Sequence, residues 1–109
     1  MERTYNKLVR DNIPDIIIAK GETPVTRILE DEEYKKSLEV KLFEEYEEVL
    51  SSEGEDRCEE LADLMEVIRS LAKLENKTLE DIIALADEKR EKRGGFDGKV
   101  YLEKVIEKK

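Results

Sequence analysis

Two short acidic groups carry the chemistry this sequence offers: Glu44-Glu45-Tyr46-Glu47-Glu48 and, further on, Glu60-Leu61-Ala62-Asp63. Each lies in a helical pattern and spaces carboxylates three residues apart. That spacing puts them on one side of a helix, about one turn apart. Two such helices side by side would direct several carboxylates into one small space, which anions share only with a cation between them. Hard oxygen donors suit Mg²⁺, which keeps part of its water, with Mn²⁺ as the other candidate. A divalent ion held in this way neutralises phosphate oxygens and activates water, the chemistry of phosphate ester and anhydride hydrolysis.

Helical projection at about 100° per residue sharpens the picture. Leu38, Leu42, Phe43, Tyr46, Val49 and Leu50 form the apolar arc of the first helix, with Glu45 at its edge and Glu48 just beyond. The second helix has a wider arc, from Cys58 and Leu61 through Leu64, Met65, Val67 and Ile68 to Leu71, Ala72 and Leu74. Glu60 falls inside that arc and Asp63 at its border. A carboxylate within an apolar face is costly unless it is paired or binds a metal. The plainer reading is a solvated acidic face, since Asp and Glu make up 29 of 109 residues.

Length and composition bound the rest. A chain of 109 residues is one domain, spanning 1–109, with a modest core. Two broadly apolar helices on so short a chain point to a homo-oligomer, a dimer or higher, in which a second subunit covers part of that surface. A net charge of −9 argues against general affinity for a nucleic acid polymer. Histidine is absent, which excludes His-based triads and disfavours a conventional zinc site. The single Cys58 rules out an internal disulfide framework and is expected as a buried thiol. No apolar run approaches the roughly 20 residues of a membrane span, and no signal peptide precedes the charged start. The chain reads as cytoplasmic, with no membrane partner.

The elements that must hold these carboxylates follow from caps and breakers. Asp11 or Asn12 caps a first helix that has Pro14 in its first turn and ends at Gly21. Residues 23–29 are β-prone, although Pro24 argues against a central strand. Asp31 is read as the cap of a helix reaching about Leu50. A short turn over 51–55 makes the next helix an antiparallel neighbour, capped over 56–59 and running to about Glu75. Asn76-Lys77 turns the chain. Thr78 to Asp81 resembles a capping box, and Gly94-Gly95 stops the last helix. Phe96, Val100, Tyr101, Leu102 and Val105 suggest a tail that packs back.

Basic residues form two groups. Lys89-Arg90-Glu91-Lys92-Arg93 precedes Gly94-Gly95-Phe96, and either offsets a helix dipole or clamps phosphate. Lys7 and Arg10 form the second group, readable as surface charges or as further phosphate ligands. The Gly-Gly step is not a Walker A loop, because no Gly-Lys-Ser/Thr follows it.

Glu44-Glu45-x-x-Glu48 followed by Glu60-x-x-Asp63 resembles the EExxE…ExxD signature of the MazG-like all-α nucleoside triphosphate pyrophosphatases, relatives of phosphoribosyl-ATP pyrophosphohydrolase. The flanks Tyr5-Asn6-Lys7-Leu8-Val9-Arg10-Asp11-Asn12-Ile13-Pro14 and 89–96 are similar to the ends of a small branch described as predicted house-cleaning nucleotide pyrophosphatases. The resemblance runs from about residue 5 to about residue 100. The interval between Glu48 and Glu60 is short for the superfamily, so the hairpin should be tight.

The resemblance implies an all-α antiparallel bundle of MazG-like type with a short extended N-terminal segment and a C-terminal tail. It implies Mg²⁺ on Glu45, Glu48, Glu60 and Asp63, with Glu44 as an additional or supporting ligand. Glu44 or Glu48 would accept a proton from the attacking water, and Lys7, Arg10, Lys89, Arg90 and Arg93 would hold substrate phosphates. The implied reaction is hydrolysis of the α–β phosphoanhydride of a nucleoside triphosphate, non-canonical in kind, to nucleoside monophosphate and pyrophosphate. The same metal chemistry serves phosphoribosyl-ATP, and a non-catalytic acidic helical module that binds partner helices is the alternative from another class.

Overall fold

A computed structural model describes residues 1–108 and contains four helices: α1 Ile13–Ala19, α2 Asp31–Leu50, α3 Gly54–Leu74 and α4 Leu79–Arg93. Among the described residues there is no strand, so the β-prone stretch 23–29 pairs in no sheet. The chain is all-α.

Local chemistry explains the boundaries. Asn12 occupies the N-cap of α1, but its side chain makes no cap hydrogen bond; Pro14 pre-sets the first turn. Gly21 closes α1 in a left-handed conformation (φ 85°), donating to Ile18 at 2.9 Å. The capping box of α4 is present: Asp81 N–H donates to Thr78 Oγ1 at 3.1 Å, and Thr78 N–H donates to Asp81 Oδ2 at 2.9 Å. Those bonds hold the Asp81 carboxyl below its ordinary range, the Thr78 backbone N–H first among them. Asn76 (φ 59°) ends α3 in the same left-handed way, with Lys77 N–H reaching Ala72 at 2.9 Å.

Two starts differ by one to three residues from the sequence reading. Glu30 rather than Asp31 is the N-cap of α2, and α3 begins already at Gly54. Asp31, Glu32, Glu33, Glu55 and Asp56 thus sit in first turns, where their charges meet the positive helix end without hydrogen-bonded capping. The turn between α2 and α3 is clasped by Arg57, whose Nε donates to Ser52 O at 2.8 Å and to Val49 O at 3.1 Å.

α2 packs along α3, and α3 meets α4; α1 packs on no other helix. The buried apolar residues are Leu38 on α2, Val67 and Ala72 on α3, and Leu79 at the start of α4. Little else is enclosed. The radius of gyration is 19.2 Å, against about 13 Å for a globular chain of this length. Two expectations fail for this reason. Cys58 is exposed, and the tail does not pack back: Phe96 is 97% exposed, with Val100, Tyr101, Leu102 and Val105 close behind. Both lie where the chain supplies no second apolar surface. No helix among the described residues is long and apolar enough to cross a membrane.

Candidate metal centre

The hairpin brings one acidic group onto the other. Glu45 from α2 and Glu60 and Asp63 from α3 each offer a carboxylate oxygen within 4.8 Å of the other two. All three side chains are half-buried. Their position follows from helical repeat: Glu45 lies seven residues after Leu38, and Glu60 seven before Val67. Seven residues are nearly two turns, so the carboxylates continue the faces that bury Leu38 and Val67.

Bringing them together has an electrostatic cost. Two unit charges at such separations repel by on the order of 1 kcal/mol in water, and by more near a protein surface. Glu45 shows it. Its carboxyl is pushed above the ordinary glutamate value by partial burial first, then by the Asp63 charge, with Glu60 and Glu48 adding to the push. Lys41, one turn earlier on α2, works the other way.

This donor set fits a hard divalent ion. Oxygens on opposite sides of an octahedral Mg²⁺ are about 4.2 Å apart and adjacent ones about 2.9 Å. A spacing within 4.8 Å reaches that range by small side-chain torsions. Three carboxylates leave coordination positions for water or phosphate oxygens, as in sites that act on phosphate esters.

The remaining residues named from sequence are placed as follows. Glu48 lies one turn beyond Glu45 and is exposed, outside the close group but near enough for its charge to bear on Glu45. Glu44 is half-buried and pairs with Lys41 at 3.6 Å. Arg10 reaches the cluster: its Nη2 donates to Asp63 Oδ1 at 2.8 Å. Lys7 lies over the Tyr5 ring, 5.6 Å from its centroid, and lines a 130 Å³ cavity with Asn6, Leu8, Ser37, Val40, Lys41 and Glu44.

Lys89, Arg90 and Arg93 are exposed at the end of α4. Arg90 pairs with Asp97 at 3.9 Å, and its guanidinium lies beside Gly95. Among the described residues, no hydrogen bond or ion pair joins these three to the carboxylates. Lys41 is the residue that sequence reasoning missed. Its side chain is only 22% exposed, between the cavity and the cluster. The available signal was its place four residues before Glu45, the spacing that puts two side chains on one helical face.

No family model and no solved structure matches the chain. A protein of Mycolicibacterium smegmatis (strain ATCC 700084 / mc(2)155), itself uncharacterized, is 48% identical over 50 residues, which are 46% of this chain and 51% of that protein. The matched part of this chain thus spans about half the length of that relative.

Proposed function

We propose that the chain is a Mg²⁺-dependent nucleotide pyrophosphohydrolase with a helical bundle of MazG-like type. It would cleave the α–β phosphoanhydride of a nucleoside triphosphate, non-canonical in kind, to the monophosphate and pyrophosphate in the cytoplasm. The observation that carries this reading is the cross-helix group of Glu45, Glu60 and Asp63, set in a seam where helices otherwise bury apolar residues.

Glu45, Glu60 and Asp63 would hold the metal, with Glu48 able to join from one turn away. When bound, the ion would supply phosphate neutralisation and an activated water. Glu48 is the better proton acceptor of the two candidates, because it is solvent-facing and bears on the cluster, whereas Glu44 is engaged by Lys41. Lys7 and Arg10 would take substrate phosphates: Arg10 reaches Asp63, and Lys7 shares a cavity with Lys41. Lys89, Arg90 and Arg93 would serve as phosphate ligands where a neighbouring subunit brings them to a site.

A homo-oligomer belongs to the same proposal. The accessible surface is 10521 Å², roughly 4,300 Å² more than a compact monomer of this mass exposes. Covering half of that excess on each of two subunits would already match the roughly 2,000–5,000 Å² that obligate interfaces bury in total. Sedimentation at micromolar concentration showing only a 12.7 kDa species would count against it.

The deciding experiment is pyrophosphate release from a panel of canonical and damaged nucleotides, with phosphoribosyl-ATP included and Mg²⁺ present or removed. Release from a nucleoside triphosphate supports the proposal. Release from phosphoribosyl-ATP alone assigns the related reaction, and no release with any substrate leaves a metal-binding or adaptor role.

A further inference from the structure

The acidic cluster already has a cation on it, and that cation comes from the chain itself. Arg10 precedes Asp63 by 53 residues, yet its guanidinium makes a 2.8 Å ion pair with Asp63 Oδ1. Among the described residues, this ion pair is the one that ties residues 5–19 to the hairpin; Arg3 pairs with Glu22 inside the N-terminal segment, and Arg27 joins the chain just before α2 to Glu33 in the first turn of that helix. The rest of that attachment is slight. Leu8 and Val9 are half-buried, and α1 rests on no other helix.

Arg10 is also joined to the start of α1, because its carbonyl accepts the Ile13 N–H at 3.1 Å. Fixing the Arg10 side chain on Asp63 therefore tethers the start of α1 to the hairpin. The pair is not deeply held: the Arg10 and Asp63 side chains are 57% and 45% exposed. An exchange of partners at Asp63 is then inexpensive, as exposed ion pairs are worth little.

We propose that Arg10 is the internal counter-ion of the metal centre and that a divalent cation displaces it from Asp63. This rests on the metal reading of Glu45, Glu60 and Asp63 given above. The metal and the guanidinium compete for one carboxylate. Loading the metal frees the Arg10 side chain beside the ion, where a substrate phosphate oxygen can take it, and unlatches residues 5–19 from the hairpin. Without metal, the latch offsets part of the repulsion among the three carboxylates.

The test is a Mn²⁺ titration of the full-length chain without nucleotide, comparing wild type with Arg10→Gln, Arg10→Lys and, as a control away from the cluster, Arg3→Gln. Competition predicts that Arg10→Gln binds Mn²⁺ about threefold more tightly, the size an exposed ion pair allows, with Arg3→Gln unchanged and Arg10→Lys between. In wild type, Mn²⁺ should speed amide hydrogen exchange across residues 5–19 while slowing it around 45 and 60–63. Equal or weaker Mn²⁺ binding by Arg10→Gln overturns the proposal. So does an N-terminal segment whose exchange ignores the metal, a measurement that needs no variant to fold. If no form of the chain binds Mn²⁺, the metal reading fails as well, an outcome distinct from unchanged affinity in all four proteins.

Discussion

The seam between α2 and α3 has two halves built on the same pair of faces. Around Leu38 and Val67 it excludes water with apolar side chains; two turns away, around Glu45, Glu60 and Asp63, it holds three carboxylates. Backbone geometry is continuous across both. What changes is the residue type, and with it the sign of the energy. The apolar half gains from burial, roughly 25 cal/mol for each Å² removed from water. The acidic half repels itself, raises the Glu45 pKa and recruits Arg10. A helix pair can therefore hold a site against its own electrostatics when a neighbouring layer, two turns along, supplies the adhesion.

The sharpest way to break the contrast is to remove a carboxylate while keeping its shape. Glu60→Gln or Asp63→Asn should lower Mg²⁺-dependent pyrophosphate release a hundredfold or more, about 2.7 kcal/mol of transition-state stabilisation. The same variants should lose most of the rise in melting temperature that Mg²⁺ gives wild type by binding the folded state. Full metal-dependent turnover in Glu60→Gln would remove Glu60 from the metal set. In the other half, Leu38→Ala should cost about 2–4 kcal/mol of stability, read from denaturant midpoints, by leaving a cavity the hairpin cannot fill. Its catalytic loss should be no more than the unfolded fraction explains. A change in metal affinity of the folded protein would show that the two halves are not independent.

A smaller effect follows from Glu45 and pH. A carboxyl raised in the folded state favours the protonated fold. Its contribution is therefore complete below the ordinary glutamate range near 4.5 and is lost as pH rises through the elevated value. The metal-free protein should lose stability over that window, first through burial of Glu45 and then through the Asp63 charge. Glu45→Gln should flatten the dependence and leave the metal-free protein at least as stable as wild type at neutral pH. A steeper loss in Glu45→Gln would refute the assignment.

The smallest expected change tests the basic end of α4 against the seam. If Arg93 only offsets the helix dipole, Arg93→Gln costs about 0.3–1 kcal/mol and leaves turnover unchanged. A tenfold rise in KM with folding and Mg²⁺ affinity intact would place Arg93 on substrate phosphate, about 1.4 kcal/mol of binding.

Legibility in the sequence followed the range of the physics. Signals confined to a few residues were readable: the Thr78–Asp81 box, the Gly21 and Asn76 stops, the short turn that makes α2 and α3 antiparallel. The inward setting of Glu60 and Asp63 was readable too, because helical projection places a residue on its own face. What lies opposite that face is not encoded in periodicity. Cys58 falls on an apolar helical face and Phe96 is a large apolar side chain, and neither pattern gives a sign that no other described residue covers them. The Arg10–Asp63 pair was hidden for a related reason: it joins a segment with little regular structure to a helix 53 residues on.

The Arg57 clasp on the turn between α2 and α3 bears on how quickly the carboxylates come together. Its two hydrogen bonds to Ser52 and Val49 secure a turn of three residues between long helices. A link that short carries little loop-closure entropy, and contacts between sequence neighbours form early in folding, on about the microsecond scale of local events. Every carboxylate of the cluster lies between residues 45 and 63, and the apolar layer that holds them together lies at Leu38 and Val67, so the carboxylates are gathered once 38–67 has paired. During synthesis that stretch leaves the ribosome before α4 and the tail do. For the proposed homo-oligomer, the slow event would then be the covering of its open apolar faces, a second-order step that dilution retards while leaving the closure of the hairpin untouched.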